Sequence, residues 1–228
     1  MWVREGPPPG GVAVLWDLDG TLVDSAGDIA ANANRTLVGA GLPALPEARI
    51  RGFVGDGAAS LVRRGVEAAG GRFEPGLLDA FLSHYLAHPA ERTRVHPPSL
   101  RGLLAELAAE SVPMGVVTNK PLAVTLRLLD TLDLRGLFWV VVGGDSFPER
   151  KPHPRPVREA MAALAAERGV LVGDGPQDVA SGRAAGLPVL GVRWGIAVPE
   201  GADGYADEVE DLADRLRSII MQGCASSS

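Results

Sequence analysis

Cysteine and lysine are scarce in this sequence of 228 residues, which contains one cysteine and two lysines. The single cysteine, Cys224, cannot form a disulfide within the chain, and residues 1–11 lack the apolar segment of a secretory signal. Apolar runs such as residues 139–142 have the length of a strand, whereas a membrane-spanning helix needs about 20 apolar residues. We therefore expect a cytoplasmic protein that spans no membrane.

Positive charge is also in short supply, because 22 lysine and arginine residues face 28 acidic residues and leave a formal net charge of −6. A protein that binds the phosphate backbone of nucleic acid usually carries a basic surface, so we expect no nucleic-acid partner. Any bound anion must be held by a few local cations, which makes the two lysines, Lys120 and Lys151, informative. Hydrophobic residues make up 46% of the chain, a content that excludes a disordered protein.

Five short apolar runs alternate with segments of helical length. This alternation predicts an α/β fold with a doubly wound parallel sheet, because uninterrupted apolar runs are typical of parallel strands buried on both faces. The predicted strands are residues 11–17, 114–118, 139–142, 170–173 and 189–192, and the predicted helices are 99–109, 121–132, 154–168, 178–185 and 207–221.

Residues 26–93 interrupt this alternation, since they contain helical patterns and no strand-like run. Ser25 is placed to cap the first of these helices, and two more are predicted at 57–69 and 75–87. An insertion of this size forms a separate lobe, because long structureless connections are uncommon. We therefore predict a core of residues 11–24 and 94–222, a helical cap of residues 25–93, and flexible termini at 1–10 and 223–228.

Two pairs of aspartates follow predicted strands. Asp17 and Asp19 follow the first strand in DLDGT, and Asp174 and Asp178 follow a later strand in VGDGPQD. Carboxylates at the carboxyl ends of parallel strands meet at one edge of the sheet, where they repel one another unless a cation lies between them. An Asx turn would explain either pair alone, but the combination predicts a site for Mg²⁺, which prefers hard oxygen ligands.

Three further polar side chains are predicted at the same edge. Thr118 and Asn119 end the second strand, and Lys151 lies in KPHPRP after the third. Taken alone, the first two would be helix caps and the lysine a solvated surface residue. The prolines around Lys151 stiffen its loop, which favours a cation held in a defined place. We therefore predict that these side chains bind an anion beside the metal.

The segments DLDGT, VVTNK, KPHPRP and VGDGPQD, in this order and spacing, resemble the four motifs of the haloacid dehalogenase superfamily of phosphohydrolases. The resemblance implies a Rossmann-like core with an α-helical cap inserted after the first motif. The segment GLPALPEARIRGFVGDGAASLVRRG resembles the cap of the phosphoglycolate phosphatase subgroup, and VRWG and GADGYADEVEDL also resemble that subgroup. The chain therefore looks like a Mg²⁺-dependent phosphomonoester hydrolase that acts on a small phosphorylated metabolite.

The same resemblance implies a role for each motif residue. Asp17 would be the nucleophile that forms an aspartyl-phosphate, and Asp19 would be the acid and base. Mg²⁺ would be held by the carboxylates of Asp17 and Asp174 and by the backbone carbonyl of Asp19, with Asp178 orienting this set from outside it. The core residues implied to bind the substrate are Gly20, Thr21, Thr118, Asn119 and Lys151, and the last three of these are also implied to be catalytic.

Other activities of the superfamily fit less well. A dehalogenase lacks the second aspartate of the first motif, here Asp19, and a phosphonate hydrolase needs a cap lysine that residues 26–93 do not contain. A phosphomutase is disfavoured on the same ground, while a sugar-phosphate phosphatase and a pyrophosphatase stay open. A non-enzymatic scaffold would be expected to have lost a catalytic group, and every expected group is present. The pattern does not distinguish a monomer from a homodimer.

The cap contains a candidate site for the leaving group. Gly55, Asp56 and Gly57 precede a helix whose first N–H groups favour an anion, and Arg63 and Arg64 follow on that helix. Either arginine alone could equally be a solvated surface residue, and the glycines could simply turn the chain. Together with the resemblance, the pattern predicts a preference for 2-phosphoglycolate, whose carboxylate would lie at the helix end within reach of one arginine.

Overall fold

The computed structural model describes residues 1–6, 8–9 and 11–225, without the side chains of 223–225. Its main sheet has seven strands in the order β1-β6-β5-β2-β7-β8-β9, all parallel except β1, which pairs antiparallel with β6. The described strands are β1 (Trp2–Val3), β2 (Val12–Trp16), β3 (Val23–Asp24), β4 (Arg94–Val95), β5 (Met114–Val117), β6 (Val140–Val142), β7 (Arg168–Gly173), β8 (Val189–Val192) and β9 (Gly204–Ala206).

Helices cover both faces of this sheet and the insertion between β3 and β4. They are α1 (Ala26–Gly39), α2 (Glu47–Arg51), α3 (Ala58–Ala68), α4 (Pro75–Ala87), α5 (Leu100–Ala109), α6 (Leu122–Thr131), α7 (Arg155–Ala163), α8 (Pro176–Ala185) and α9 (Val209–Ala225). Within the part of the chain that the structure describes, none of the helices has the length and apolar character needed to cross a membrane.

The central strand β2 shows why helices cover both faces of the sheet. All five of its residues are buried, and the side chains of residues 13–16 alternate between two apolar clusters. Val14 and Trp16 face a cluster with α5, α6 and α9, whereas Ala13 and Leu15 face a cluster with α7 and α8. The predicted doubly wound α/β fold is confirmed, because each face of a buried parallel strand needs an apolar layer.

The insertion of four helices has an apolar cluster of its own, which includes Ile29, Ile50, Val66 and Phe81. We call α1 to α4 and their connections the cap. The chain enters and leaves the cap through β3 and β4, which pair antiparallel. Val124 of α6 also packs into the cap cluster, so the cap lies against the core beside the end of β5.

Several expectations need correction. Residues 1–10 were expected to be flexible, but Trp2–Val3 add a strand to the edge of the sheet at β6. At the other end, α9 continues through residue 225, and 226–228 lie outside the described residues. The helix predicted at 154–168 stops at Ala163, because residue 168 already belongs to β7. Ser25 precedes α1 as predicted, yet its side chain makes no cap hydrogen bond.

Candidate active site

The central residue of the site is Asp17, which follows β2 in the middle of the sheet. Its side chain is 13% exposed, and its Oδ1 accepts a hydrogen bond of 2.7 Å from Nζ of Lys151. The same ammonium group donates to Oδ1 of Asp178 at 2.6 Å and to the carbonyl oxygen of Val117 at 2.7 Å. Lys151 is only 2% exposed, so it is a buried cation held between two carboxylates.

Asp174 and Asp178 approach Asp17 from the end of β7 and the first turn of α8. The backbone N–H groups of Ile196 and Ala197 donate to Oδ2 of Asp174 at 2.7 and 3.0 Å. Gly175 donates its N–H to Oδ2 of Asp178 at 3.0 Å. These bonds fix both carboxyl groups before any ligand binds.

The carboxyl groups repel one another, and this repulsion alters their protonation. Burial, together with the charge of Asp178, raises the pKa of Asp17 to about 6, although Lys151 opposes the shift. Burial and the charge of Asp17 raise the pKa of Asp174 to about 6 as well. Burial also raises the pKa of Asp178. A cation placed among these groups would relieve the repulsion.

The three carboxylates lie close enough together to hold a metal ion. One oxygen from each of Asp17, Asp174 and Asp178 lies within 4.8 Å of the other two. All donors are carboxylate oxygens, which suit Mg²⁺ better than softer metals. Lys151 and the N–H of Gly175 bond both oxygens of Asp178, whereas the donors to Asp174 are the neutral hydroxyl of Thr21 and two backbone N–H groups.

Asp19 has a partner that its motif did not predict, the buried ammonium group of Lys120. Nζ of Lys120 lies 2.6 and 2.7 Å from the two carboxylate oxygens of Asp19, and Oγ of Ser25 donates to Oδ1 at 2.5 Å. Burial works against the charge of Lys120, but Asp19 raises its pKa above the usual range. The scarcity of lysine pointed to Lys120 as well as Lys151, and only the second was assigned.

Thr118 and Asn119 lie after β5, facing Lys151. Oγ1 of Thr118 accepts the backbone N–H of Lys120 at 3.2 Å. Nδ2 of Asn119 donates to the carbonyl oxygens of Lys151 and of Gly55, both at 2.9 Å. Asn119 therefore joins two core loops to the cap, while its buried Oδ1 has no partner among the described residues.

The cap loop before α3 forms one wall of the site. Oδ1 of Asp56 accepts a hydrogen bond of 2.8 Å from Gln177 of the core, and Oδ2 lies 2.6 Å from Arg64. Arg64 thus faces the cavity as one of the two predicted candidates. Arg63 does not, because its guanidinium stacks 4.6 Å from the ring centre of Phe73.

Gly20 and Thr21 support the site from behind and do not line its cavity, contrary to their predicted contact with substrate. Oγ1 of Thr21 donates to Oδ1 of Asp174 at 3.1 Å. Gly20 has a φ of +89°, and a Cβ there would lie 2.3 Å from an oxygen of Asp174. Glycine at position 20 therefore lets the loop after β2 pass beside this carboxylate.

The remaining predicted residues enclose a cavity of about 260 Å³ between core and cap. Its floor is polar, and its cap wall combines apolar side chains with the polar groups of Asp56, Arg64 and Tyr85. Tyr85 is 2% exposed, and burial raises its pKa to about 12. The lining side chains used below are Asp17, Asp19, Lys120, Lys151 and Asp174 from the core, and Ile29, Asp56, Leu61, Arg64, Phe81 and Tyr85 from the cap.

Residues 14–192 match the family model of the haloacid dehalogenase-like hydrolases. The chain belongs to this family. It is 44% identical over 210 residues to the plasmid phosphoglycolate phosphatase of Cupriavidus necator, covering 88% of this chain and 90% of that protein. It is 41% identical over 215 residues to a phosphoglycolate phosphatase of Cereibacter sphaeroides, covering 91% and 98%.

Solved structures agree with this family assignment. A crystal structure described as a predicted phosphoglycolate phosphatase from Haemophilus somnus has a TM-score of 0.82 with this chain at 27% identity. The match covers 90% of this chain and 97% of that one. The prediction of a hydrolase of the phosphate-ester type, with a core and cap of this superfamily, is confirmed at this level.

Proposed function

We propose that this protein is a Mg²⁺-dependent phosphomonoester hydrolase that works through an aspartyl-phosphate on Asp17 and acts on 2-phosphoglycolate. The observation that carries the proposal is the position of Asp17 on the floor of an enclosed cavity, with Lys151, Asp174 and Asp19 around it. A nucleophile, a fixed cation, a metal-binding carboxylate and a second carboxyl group for proton transfer are the parts that phosphoryl transfer requires.

The first half of the reaction forms the phosphoenzyme. Oδ1 of Asp17 is bound to Lys151, and Oδ2 is the oxygen that attacks. The new bond joins this oxygen to phosphorus, and the bond from phosphorus to the ester oxygen breaks. Asp19 donates a proton to the departing oxygen, which leaves as the hydroxyl group of glycolate. Lys151 and the hydroxyl of Thr118 stabilise the charge on the phosphoryl oxygens.

The second half releases phosphate. Asp19, now a carboxylate, takes a proton from a water molecule that attacks the phosphorus atom, and the bond to Asp17 breaks. Asp17 and Asp174, with the backbone carbonyl of Asp19, would hold Mg²⁺, and Asp178 would orient them. When bound, the metal supplies positive charge that offsets the repulsion between the carboxylates and the phosphate dianion.

The size and lining of the cavity support a small substrate. Its volume of about 260 Å³ is below the roughly 300 to 1,000 Å³ usual for drug-sized ligands. The relatives named above act on phosphoglycolate according to their names, and the phosphate ester of a two-carbon acid fits a cavity of this size. A cytoplasmic location is part of the same proposal, supported by the single cysteine, which cannot form an internal disulfide.

The deciding experiment is a substrate panel of kcat/KM values with Mg²⁺ present. We expect 2-phosphoglycolate to exceed hexose phosphates, pentose phosphates and pyrophosphate by at least about tenfold. Removal of Mg²⁺ with a chelator should abolish activity on every ester, and added Mg²⁺ should restore it. A sugar phosphate preferred tenfold would overturn the substrate and leave the chemistry standing. Full activity after chelation would overturn the metal-dependent mechanism.

A further inference from the structure

Lys120 pairs with Asp19, which the proposed chemistry explains. Its ammonium group can also donate a further hydrogen bond, which that chemistry does not use. An ammonium group has three N–H donors, and two of them are used by the two oxygens of the single carboxylate of Asp19. The side chain is 3% exposed, yet it lines the cavity. A buried cation with a donor that Asp19 does not use, facing a substrate cavity, is suited to bind an anionic group of the substrate.

The cap contributes a polar side chain, Tyr85, that lies beside Lys120. The ring of Tyr85 lies 4.7 Å from Nζ of Lys120, measured to the ring centre. Among the described residues its buried hydroxyl makes no hydrogen bond of normal geometry, and burial raises its pKa although the charge of Lys120 opposes that shift. A buried hydroxyl without a partner is unfavourable, so a ligand group that accepts its hydrogen bond would be held there.

The cation that the cap contributes to the cavity, Arg64, already has a partner. Arg64 is bound to Asp56 at 2.6 Å, and Asp56 carries its negative charge directly before α3. A second carboxylate at this helix end would meet the carboxylate of Asp56. The carboxylate beside Lys120, by contrast, belongs to Asp19. In the proposed reaction Asp19 must itself approach the ester oxygen.

We propose that Lys120 and Tyr85 bind the carboxylate of the leaving group and thereby select esters of small hydroxy acids. This inference rests on the proposed function and locates its specificity. In 2-phosphoglycolate the carboxyl carbon is two bonds from the ester oxygen. When Asp19 reaches that oxygen, Lys120, which touches Asp19, is within reach of the carboxylate, and Tyr85 closes over it from the cap. Lys120 is then a specificity-determining residue.

The test compares two esters of equal length, 2-phosphoglycolate and 2-hydroxyethyl phosphate. The second has a hydroxymethyl group where the first has a carboxylate. The wild-type ratio of their kcat/KM values tests the proposed function, and the change of this ratio in variants tests Lys120. In Lys120→Met and Lys120→Gln the ratio should fall about ten- to hundredfold, as expected for a lost charged hydrogen bond. The glutamine can still donate to Asp19. Tyr85→Phe should lower the ratio several-fold.

Arg101→Met is the matched control, because Arg101 donates to the carbonyl of Leu132 far from the cavity, and it should leave the ratio unchanged. Melting temperatures show that each variant is folded. If wild type prefers 2-phosphoglycolate but both esters lose activity equally in both Lys120 variants, Lys120 only positions Asp19 and the inference is overturned while the function stands. If wild type shows no preference, the substrate proposal fails first, and the inference falls with it.

Discussion

Nζ of Lys151 lies 2.7 Å from Oδ1 of Asp17, a residue 134 positions earlier in the chain. The same ammonium group lies 2.6 Å from Asp178. One buried cation therefore lies between the proposed nucleophile and a neighbouring carboxylate. Its removal should affect both the proposed reaction and the stability of the protein.

Replacing Lys151 by methionine should lower kcat/KM by at least about a hundredfold, because the phosphoryl charge loses a fixed counter-charge. It should also lower the free energy of unfolding by about 2 to 4 kcal/mol, since removing one partner of a buried ion pair leaves carboxylates uncompensated. Steady-state kinetics and urea denaturation of the metal-free protein measure the two effects.

The control is Lys151→Met combined with Asp178→Asn. This second change removes one of the uncompensated carboxylates, so it should recover part of the lost stability and none of the activity. An unchanged free energy of unfolding in Lys151→Met would show that the two ion pairs do not contribute to the folded state.

Asp17→Asn should lower kcat by about 10⁴-fold or more, because an amide oxygen cannot form the acyl phosphate. Its melting temperature without metal should not fall, since the amide can still accept from Lys151 and no longer repels Asp178. Acid-quenched wild-type protein should carry a phosphoryl group detectable by mass spectrometry, and the variant should not. Near-normal turnover of Asp17→Asn would assign the nucleophile elsewhere.

Mg²⁺ should stabilise the protein more at pH 7.5 than at pH 5. Asp17 and Asp174 have a folded-state pKa of about 6, above the ordinary value of 3.8. The folded state therefore binds more protons than the unfolded state between about pH 4 and 6, and these two groups lower stability as pH rises through that window. At pH 5 protons already relieve the repulsion and compete with the metal.

The measurement is the shift in melting temperature on adding Mg²⁺ at each pH. Asp174→Asn serves as the control, because it removes one proposed ligand and one of the repelling charges, and it should reduce the shift at pH 7.5. An equal Mg²⁺ shift at both pH values in wild type would contradict this assignment of the metal site.

Arg64 and Arg63 should behave differently although they are neighbours on α3. Arg64→Met leaves the carboxylate of Asp56 without its cation, close to the phosphate dianion of the substrate. KM should therefore rise a few-fold for esters with a carboxylated leaving group and for esters with a neutral leaving group alike. Arg63→Met should leave KM unchanged and cost at most about 1 kcal/mol of stability, the value of an exposed cation–π contact. A larger rise in KM for Arg63→Met would contradict the structure. In an Asp56→Asn background the effect of Arg64→Met should disappear.

The strands that carry the site were predictable because they are short, wholly apolar and buried on both faces. The strand predicted at 189–192 has those bounds in the structure, and the helix predicted at 75–87 coincides with α4. β1 was missed, since two residues ahead of a proline-rich segment carry no periodic signal. Its pairing depends on the exposed edge of β6, which the local sequence does not reveal.

The residues of the site, like the strands, were predictable where the local sequence determines their position. Aspartates in the motifs after β2 and β7 could be located because their position relative to a strand fixes where they meet. The contacts of Lys120 with Asp19 and Tyr85 could not, because they join residues distant in the chain, one of them on the cap. Arg63 and Arg64 differ only in which side of α3 each occupies, and the packing of Phe73 decides that.

The order of the sheet has a consequence for the growing chain. β2 lies between β5 and β7, so its two neighbours are synthesised about 100 and 150 residues after it. Until residue 173 has left the ribosome, one edge of a strand of wholly buried side chains lacks its partner. Nascent chains that stop before β7 should therefore be prone to aggregate or to engage chaperones, whereas chains that stop after β8 should escape both.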